Sequence, residues 1–155
     1  MKKAFGAYLT PEIVKALAEE ACSSELPELT VREIDFVFVS IVAPDAATYS
    51  ERAGVVVEAV SQCQGIIHHI VPFVVVGFGT VFPSPPDARQ RLVEKLGVLL
   101  PNLVSAVHGR VTASIGSYGS ESRFDFGFWW PQATEATRRL SELSPGEIRE
   151  FRANG

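Results

Sequence analysis

The segment of residues 36–43 constrains the fold of this chain more than any other feature of its sequence. It reads Phe-Val-Phe-Val-Ser-Ile-Val-Ala, so apolar side chains occupy both alternating sets of positions. A strand with one solvated face alternates apolar and polar residues, whereas a strand that is covered on both faces is apolar almost throughout. We therefore expect a strand here with both faces covered.

A second apolar stretch, residues 65–82, predicts a hairpin. It contains His68, His69, Pro72 and several glycines, and its composition is typical of strands. Pro72 separates residues 66–71 from residues 73–78, which favours two short strands joined by a tight turn. The two histidines, the proline and the β-like composition argue against a membrane span.

Helical periodicity alternates with these strands along the chain. The complete order predicted is helix, strand, helix, two hairpin strands, helix, two strands and helix, the last helix covering about residues 131–143. Phe124, Phe126 and Phe128 share one face of the last strand, which predicts that this face packs in the core. This order predicts an α+β sandwich of ferredoxin-like type, with a mostly antiparallel sheet and its helices on one face.

The N-terminal segment predicts a short amphipathic helix followed by a linker. Thr10 suits an N-cap and Pro11 the first helical position, and Ile13, Val14, Leu17 and Ala21 follow at helical spacing. The linker of residues 23–27 contains two serines and a proline. We therefore divide the chain into residues 1–30, helix and linker, and residues 31–155, a single domain.

Composition excludes several function classes. The formal net charge is -4 and the basic residues are scattered, which argues against nucleic-acid binding. The sequence from Met1 to Gly6 lacks the apolar core of a signal peptide. Cys22 and Cys63 have no metal-ligand spacing, and reduced thiols are expected. These features together predict a cytoplasmic protein without a membrane span.

Short motifs along nearly the whole chain resemble the class III adenylate/guanylate cyclase catalytic domain. Residues 5–14, Phe-Gly-Ala-Tyr-Leu-Thr-Pro-Glu-Ile-Val, are similar to a segment that precedes many bacterial cyclase domains. Further similarities lie at residues 50–52, 65–67, 120–126 and 144–148, in the order and spacing of the family. The resemblance implies a cyclase-like fold, a two-fold dimer, and chemistry in which two aspartates hold Mg²⁺ or Mn²⁺.

The two metal-aspartate positions of the family fall on residues that cannot bind a metal. Alignment through residues 50–52 places the first on Val42, and alignment through Gly65 places the second on Phe73. Hard cations require oxygen ligands, which neither side chain offers. Asp45 could supply the first ligand if the alignment shifted by three residues, whereas residues 59–86 contain no acidic residue. The resemblance therefore predicts no bound metal and no cofactor.

The nucleotide-binding positions of the family are also altered. Its base-selecting lysine falls on His69, that lysine's partner on Gly127, and its ribose-orienting asparagine on Thr134. Arg138 alone keeps the family residue, an arginine that stabilises charge on the transferring phosphate. The alternative is that Arg138 is simply a solvated arginine beside Arg139, and the usual exposure of arginine favours this interpretation.

Two adjacent pairs have competing interpretations. Neighbouring residues on a strand face opposite ways, so His68 and His69 are expected as one half-buried and one surface histidine rather than as joint metal ligands. Trp129 and Trp130 suit either a dimer interface or the core.

These residues leave three functions open. The first is a catalytically inactive cyclase-homology domain that acts as a dimeric signalling or regulatory module, as a homodimer or with a cyclase-like chain. The second is a sensor that binds a nucleotide or another small ligand without turnover, with His69, Thr134 and Arg138 as contacts. The third is residual adenylate or guanylate cyclase activity, or service as the partner subunit of an active cyclase.

Overall fold

Strands and helices alternate through the described part of the chain, residues 29–120 and 122–152 of a computed structural model. The strands are β1 (Thr30–Ile41), β2 (Ile66–His69), β3 (Val74–Phe78), β4 (Val104–Ser120), β5 (Arg123–Trp129) and β6 (Ile148–Glu150), and the helices are α1 (Ala46–Gln62), α2 (Ala88–Leu99) and α3 (Ala133–Glu142). The helix predicted from Thr10 to Ala21 lies outside the described residues. None of the three described helices is both long enough and apolar enough to cross a membrane.

The sheet has the strand order β2-β3-β1-β4-β5, and β6 pairs in parallel with β4. β1 lies between β3 and β4 and is antiparallel to both. The first four strands with α1 and α2 thus follow the β-α-β-β-α-β order of a ferredoxin-like unit. The α+β class, the mostly antiparallel sheet and the β2–β3 hairpin are confirmed.

The two faces of the sheet bury different side chains. The face under α1 and α2, called here the aliphatic face, is built from small and branched residues: Val37, Val39, Val56, Val60, Val74, Val76, Leu92, Leu96 and Val104. The opposite face, called the aromatic face, packs against α3 and contains Phe36, Phe38, Val111, Ile115, Trp130, Ala136, Leu140 and Phe151. Alternate residues of β1 serve the two clusters, as the apolar pattern of residues 36–43 predicted.

The expected placement of every helix on one face is wrong for α3. Ala136 and Leu140 of α3 pack with Phe36 and Phe38 of β1, whereas α1 and α2 pack with Val37 and Val39. Because β1 is apolar on both alternating sets, each face of the sheet needs a cover, and α3 supplies part of the second one.

The β4–β5 hairpin curls back over the aromatic face. β4 pairs with β1 as far as Ile115 and then continues with β5 alone. The ring of Phe128 nevertheless lies 5.1 Å from the ring of His68 on β2, at the other side of the sheet. The hairpin must therefore fold across the sheet, and it brings β5 over β2 and β3.

Candidate functional site

Val42 and Phe73, which the motif alignment assigns to the two metal-aspartate positions, lie at one end of two neighbouring strands. Val42 follows the last residue of β1, and Phe73 precedes the first residue of β3. Since Val39 pairs with Val74, Phe73 lies beside the C-terminal end of β1. The backbone therefore holds residues 42 and 73 at the same end of two adjacent strands, as a shared metal site would require, but the side chains are hydrocarbon.

Phe73 belongs to the aromatic cluster rather than to an open pocket. Its ring centroid lies 5.4 Å from that of Phe38, at an angle of 55°. Phe38 in turn lies 5.7 Å from Trp130. Val42 differs, because its side chain is exposed. Of the two residues that the motif alignment assigns to metal positions, Phe73 is part of the packing and Val42 is a surface residue.

Asp45 does not supply the missing ligand. Its carboxylate accepts a hydrogen bond of 2.7 Å from the backbone N–H of Thr48, which makes it the N-cap of α1. This hydrogen bond is the main reason why the pKa of Asp45 is below its ordinary value. The backbone carbonyl of Val42 accepts a hydrogen bond from the Arg52 guanidinium. The charged group in contact with this backbone position is therefore a cation.

The turn between β2 and β3 is fastened to α1. The Tyr49 hydroxyl donates to the carbonyl of Ile70 at 2.5 Å and lies 3.3 Å from the carbonyl of Pro72. Partial burial raises the pKa of this hydroxyl. Pro72, where the family usually has glycine, follows a cis peptide bond. Tyr49 therefore holds the turn that carries Phe73.

β2 and β5 meet through His68. Its Nδ1 lies 3.3 Å from the carbonyl oxygen of Phe126, and its Nε2 lies 3.2 Å from the Thr80 hydroxyl. A neutral ring with the proton on Nδ1 satisfies both contacts, by donating to Phe126 and accepting from Thr80. Burial lowers the pKa of His68 to about 4, which keeps the ring neutral at pH 7.

Gly77 makes room for this contact. A Cβ at residue 77 would lie 2.7 Å from Cγ2 of Thr80, 3.0 Å from Nε2 of His68 and 3.1 Å from the Phe128 ring. Sequence reasoning did not single out Gly77 or Thr80. The only signal for this contact was a histidine pair within a strongly apolar stretch.

The two base-recognition positions lie on either side of the His68 contact. His69 is exposed at the end of β2. Gly127 pairs with Gly116, and a Cβ there would meet no other atom within 4 Å. Phe126 and Phe128 pack against the aromatic cluster, so the intervening Gly127 presents the opposite side of β5. His69 and Gly127 are thus next in sequence to the residues that join β2 and β5, but the contact itself is made by His68, Phe126 and Phe128.

Thr134 and Arg138 lie on the exposed side of α3. The Arg138 guanidinium forms ion pairs with Glu135 and Glu142 of the same helix. Hydrogen bonds from Arg138 and Arg139 lower the pKa of Glu135 to about 2, and Glu135 and Glu142 raise the pKa of Arg138 above its ordinary value. The interpretation of Arg138 as a solvated helix arginine accounts for these contacts.

A cavity of about 430 Å³ lies between α3 and β6. Arg138 lines it, together with Val107, Glu135, Arg139, Glu142, Leu143, Glu147, Arg149, Glu150 and Phe151. Its lining includes four glutamates and three arginines, so the negative and positive charges of the wall largely compensate each other. No set of three or more histidine, cysteine, aspartate or glutamate side chains in residues 29–120 and 122–152 is arranged to hold a metal ion.

A second cluster of charged side chains surrounds Arg89, on the side of the sheet that α1 and α2 cover. The sequence had not singled out this cluster. Arg89 of α2 forms ion pairs with Asp35 at 3.7 Å and with Glu150 at 3.6 Å, and its Nη1 lies 2.9 Å from Nδ1 of His108. Arg110 also pairs with Asp35, at 2.9 Å. Burial and the nearby Arg89 lower the pKa of His108. These contacts join the first turn of α2 to β1, β4 and β6.

The tandem tryptophans have separate environments. Trp130 is buried and lies 4.7 Å from the ring of Phe36, whereas Trp129 is 51% exposed. Trp130 is therefore a core residue, and only Trp129 remains available to an interface.

Comparison of sequences finds no match to any protein family model. No curated protein matches the sequence either.

Comparison of structures finds class III cyclase catalytic domains. The guanylyl cyclase Cya2 superposes with a TM-score of 0.58 at 17% identity, over 79% of this chain and 76% of that one. The adenylyl cyclase CyaB from P. aeruginosa gives 0.57 at 15% identity, over 79% and 78%. The dimeric guanylyl cyclase domain of the RhoGC fusion protein from the aquatic fungus Blastocladiella emersonii gives 0.57 at 11% identity, over 77% and 79%. The resemblance in the sequence motifs is thus confirmed at the level of the fold.

Proposed function

We propose that this chain is a divergent class III cyclase-homology domain that has lost the metal-dependent reaction and acts as a dimeric signalling or regulatory module. The observation that carries the proposal is the pair Val42 and Phe73. The motif alignment assigns these residues to the family's metal positions, the register of β1 and β3 holds them at the same end of adjacent strands, and neither side chain has an oxygen to offer.

The chemistry explains why two substitutions suffice. In the cyclase reaction the ribose 3′-hydroxyl attacks the α-phosphate of the same nucleotide and pyrophosphate leaves, and two divalent cations, held by two carboxylates, would neutralise the charge that develops. The Phe73 ring packs on Phe38 and would place hydrocarbon against that charge. Asp45 is committed to the N-cap of α1, and Arg52 brings a positive charge to the carbonyl of Val42. The residues at this edge do not fit a metal ion.

Arg138 does not rescue the reaction. In the family this arginine acts on the transferring phosphate, but here Glu135 and Glu142 already neutralise it. A phosphate would have to displace two carboxylates that lie on the same helix.

A cyclase assay tests the loss of turnover. Purified full chain is incubated with ATP or GTP and with Mg²⁺ or Mn²⁺, and cyclic nucleotide is measured against protein concentration. We expect no product above the blank. The matched variant is the double substitution Val42→Asp, Phe73→Asp, which restores both carboxylates. Product that scales with wild-type protein and disappears in Arg138→Ala would contradict the proposal.

Sedimentation of the full chain tests the dimer. The B. emersonii domain, of similar fold, is dimeric, and a two-fold dimer is what the family resemblance implies for this chain. We expect a reversible dimer at micromolar concentration, or a heterodimer when a cyclase-like chain is added. A chain that stays monomeric at high micromolar concentration, alone and in that mixture, would remove the dimeric module.

A nucleotide sensor without turnover is the second candidate, and the cavity beside Arg138 is the observation that favours it. Calorimetric titration with ATP and GTP, with and without Mn²⁺, distinguishes the two. Saturable binding that Arg138→Ala weakens would favour the sensor. If the titration gives no binding heat at millimolar nucleotide, the sensor is ruled out and the dimeric module is the proposal that remains.

A further inference from the structure

The strand β6 pairs with the edge of β4 although it is only three residues long. Backbone hydrogen bonds fasten both of its ends. The N–H of Ala106 donates to the carbonyl of Glu147 at 3.0 Å, and the N–H of Phe151 donates to the carbonyl of His108 at 2.7 Å. We call residues 147–151 the strap. A strand of this length makes few backbone hydrogen bonds, so its docking depends largely on its side chains.

The ring of Phe151 is the apolar anchor of the strap. It is 3% exposed and lies 6.0 Å from the Phe36 ring and 6.4 Å from the Trp130 ring. Arg139 covers it from α3, with the guanidinium carbon 4.8 Å from the ring centroid. Gly109 makes room for the strap, because a Cβ at that residue would lie 2.6 Å from the carbonyl oxygen of Phe151. The docked strap therefore completes the aromatic face.

The charged anchor of the strap lies on the opposite face, around His108. His108 is buried and is paired in register with Glu150. Arg89 of α2 donates from Nη1 to Nδ1 of His108 at 2.9 Å, and the same guanidinium pairs with Glu150 and Asp35. A guanidinium can donate only to an unprotonated ring nitrogen, so this contact requires a neutral His108 with its proton on Nε2.

The charges around His108 balance only while its ring is neutral. Within the described part of the chain these charged side chains are Glu33 and Asp35 of β1, Arg89 of α2, Arg110 of β4, and Glu150 and Arg152. A proton on the ring would place a second cation beside Arg89. Glu150 and Asp35 attract that charge, but burial and Arg89 outweigh them and lower the pKa of His108 below its ordinary value.

The strap is the smaller of the two covers over His108. β6 contributes three residues, whereas α2 has twelve and buries Ala88, Leu92 and Leu96 in the aliphatic core. Segments that bury few apolar side chains open locally at the lowest free energy. An opening that exposes His108 to water therefore begins at the strap.

We propose that the strap is an acid-released latch on the edge of β4, and that proton binding by His108 releases it. The ring binds a proton more readily once water reaches it, and water reaches it when β6 leaves β4. Acid therefore favours the undocked strap. Undocking frees the edge of β4 for strand addition and removes Phe151 from the aromatic face. The latch does not depend on the loss of catalysis.

Amide hydrogen exchange of the full chain, followed by NMR, tests the latch. The amides of Ala106 and Phe151 donate across the contact between β4 and the strap, so their protection factors, corrected for the intrinsic effect of pH on exchange, measure how often it opens. We expect both factors to fall severalfold between pH 7 and pH 5. The limit is about 25-fold, for a ring that has its ordinary pKa of 6.5 when undocked and binds no proton when docked.

His108→Gln removes the titrating ring and keeps an oxygen to which Arg89 can donate. In this variant the two protection factors should become insensitive to the change from pH 7 to pH 5. The matched control is His68→Gln, which removes the other buried histidine and should leave the acid response in place. Gly109→Ala pushes against the carbonyl of Phe151 and should lower both factors already at pH 7, which verifies that they report on the strap.

Arg89→Met is a second test, and it keeps the titrating ring. Without the guanidinium, Glu150 stabilises the protonated ring while the strap is docked, so the fall in protection between pH 7 and pH 5 should be smaller than in the wild type. A purely structural role of Arg89 would instead lower protection by the same factor at both pH values.

Three results would overturn the proposal. Equal protection of Ala106 and Phe151 at pH 7 and pH 5 in the wild type would show that acid does not release the strap. A fall that persists in His108→Gln would assign the response to another group. A loss confined to the amide of Arg91, which donates within the first turn of α2, would show that α2 opens and the strap does not.

Discussion

The two faces of the sheet differ in the kind of side chain that each one buries. The aliphatic face, under α1 and α2, is built almost wholly from branched side chains such as Val37 and Leu92. The aromatic face contains Phe36, Phe38 and Trp130, with Phe73 packed beside them. Of the altered family positions, Phe73 belongs to the second face. The first face has an ordinary two-layer core, whereas the second packs a ring at the position that the motif alignment assigns to a charged ligand of the family.

Under the proposed function, this contrast explains how a catalytic position is lost while the fold is kept. A carboxylate at residue 73 would need a cation or hydrogen bonds to be stable near the rings of Phe38 and Trp130. A phenylalanine needs neither and adds apolar contact. In a domain that binds no metal, packing therefore favours phenylalanine at residue 73, and the register of β1 and β3 is also supported by the side chains of the other face.

The largest expected effect comes from the centre of the aromatic face. Phe36→Ala should lower the free energy of unfolding by about 3–5 kcal/mol, because the ring is fully buried among Phe38, Trp130 and Phe151. Leu96→Ala on the aliphatic face is the comparison, at about 2–5 kcal/mol. Urea denaturation followed by circular dichroism measures both. A cost below about 1 kcal/mol for Phe36→Ala would mean that the aromatic face adds little to the core.

Acid should weaken the aromatic face through His68. Its folded pKa is about 4 and its ordinary value is 6.5, so the unfolded chain binds the proton first as the pH falls. Stability is unaffected above pH 6.5, declines between pH 6.5 and 4, and levels below pH 4. A shift of this size corresponds to about 3 kcal/mol. Charge on the neighbouring His69 acts in the same direction.

His68→Gln provides the control for this prediction. It removes the titrating ring while leaving His108, whose lowered pKa produces a decline of the same sign. The difference between the two stability curves therefore isolates His68. Parallel curves from pH 7 to 4 would show that His68 is not buried as a neutral ring.

Two glycines test whether the β4–β5 hairpin closes over the aromatic face. Gly77→Ala should cost about 1–3 kcal/mol, because the added methyl meets Thr80, His68 and Phe128 at 2.7–3.1 Å. Gly127→Ala is the matched strand variant and should be neutral or slightly stabilising, since its methyl meets open space. Thermal unfolding measures both changes. Equal effects at the two positions would indicate that β5 does not press on β3.

Much of the fold could be predicted from the sequence, because it depends on local pattern. The both-sided apolar run of β1 and the proline-divided stretch of β2 and β3 identified their strands correctly. The placement of α3 could not be read in this way. Amphipathic periodicity shows that a helix has an apolar face but not which side of a sheet that face meets.

The candidate site was predictable only through the family resemblance. Motif spacing assigned Val42 and Phe73 to the metal positions, and the register of β1 and β3 holds the two residues at the same end of adjacent strands. The contact of His68 with Thr80 and Phe126 joins residues 12 and 58 positions apart, so no local pattern could reveal it. The role of Asp45 was open between ligand and cap, and only the backbone of α1 decided it.

The smallest expected effect is on the exposed side of α3, which belongs to neither core. Arg138→Ala removes ion pairs to Glu135 and Glu142, but all three side chains are substantially solvated. Water and salt screen such pairs, so the melting temperature should move less than in Phe36→Ala, Leu96→Ala or Gly77→Ala, and the shift should shrink as sodium chloride is added. Arg138→Lys keeps the charge and is the control. A large, salt-insensitive loss of stability in Arg138→Ala would show that the arginine is a structural part of the cavity wall rather than a surface residue of α3.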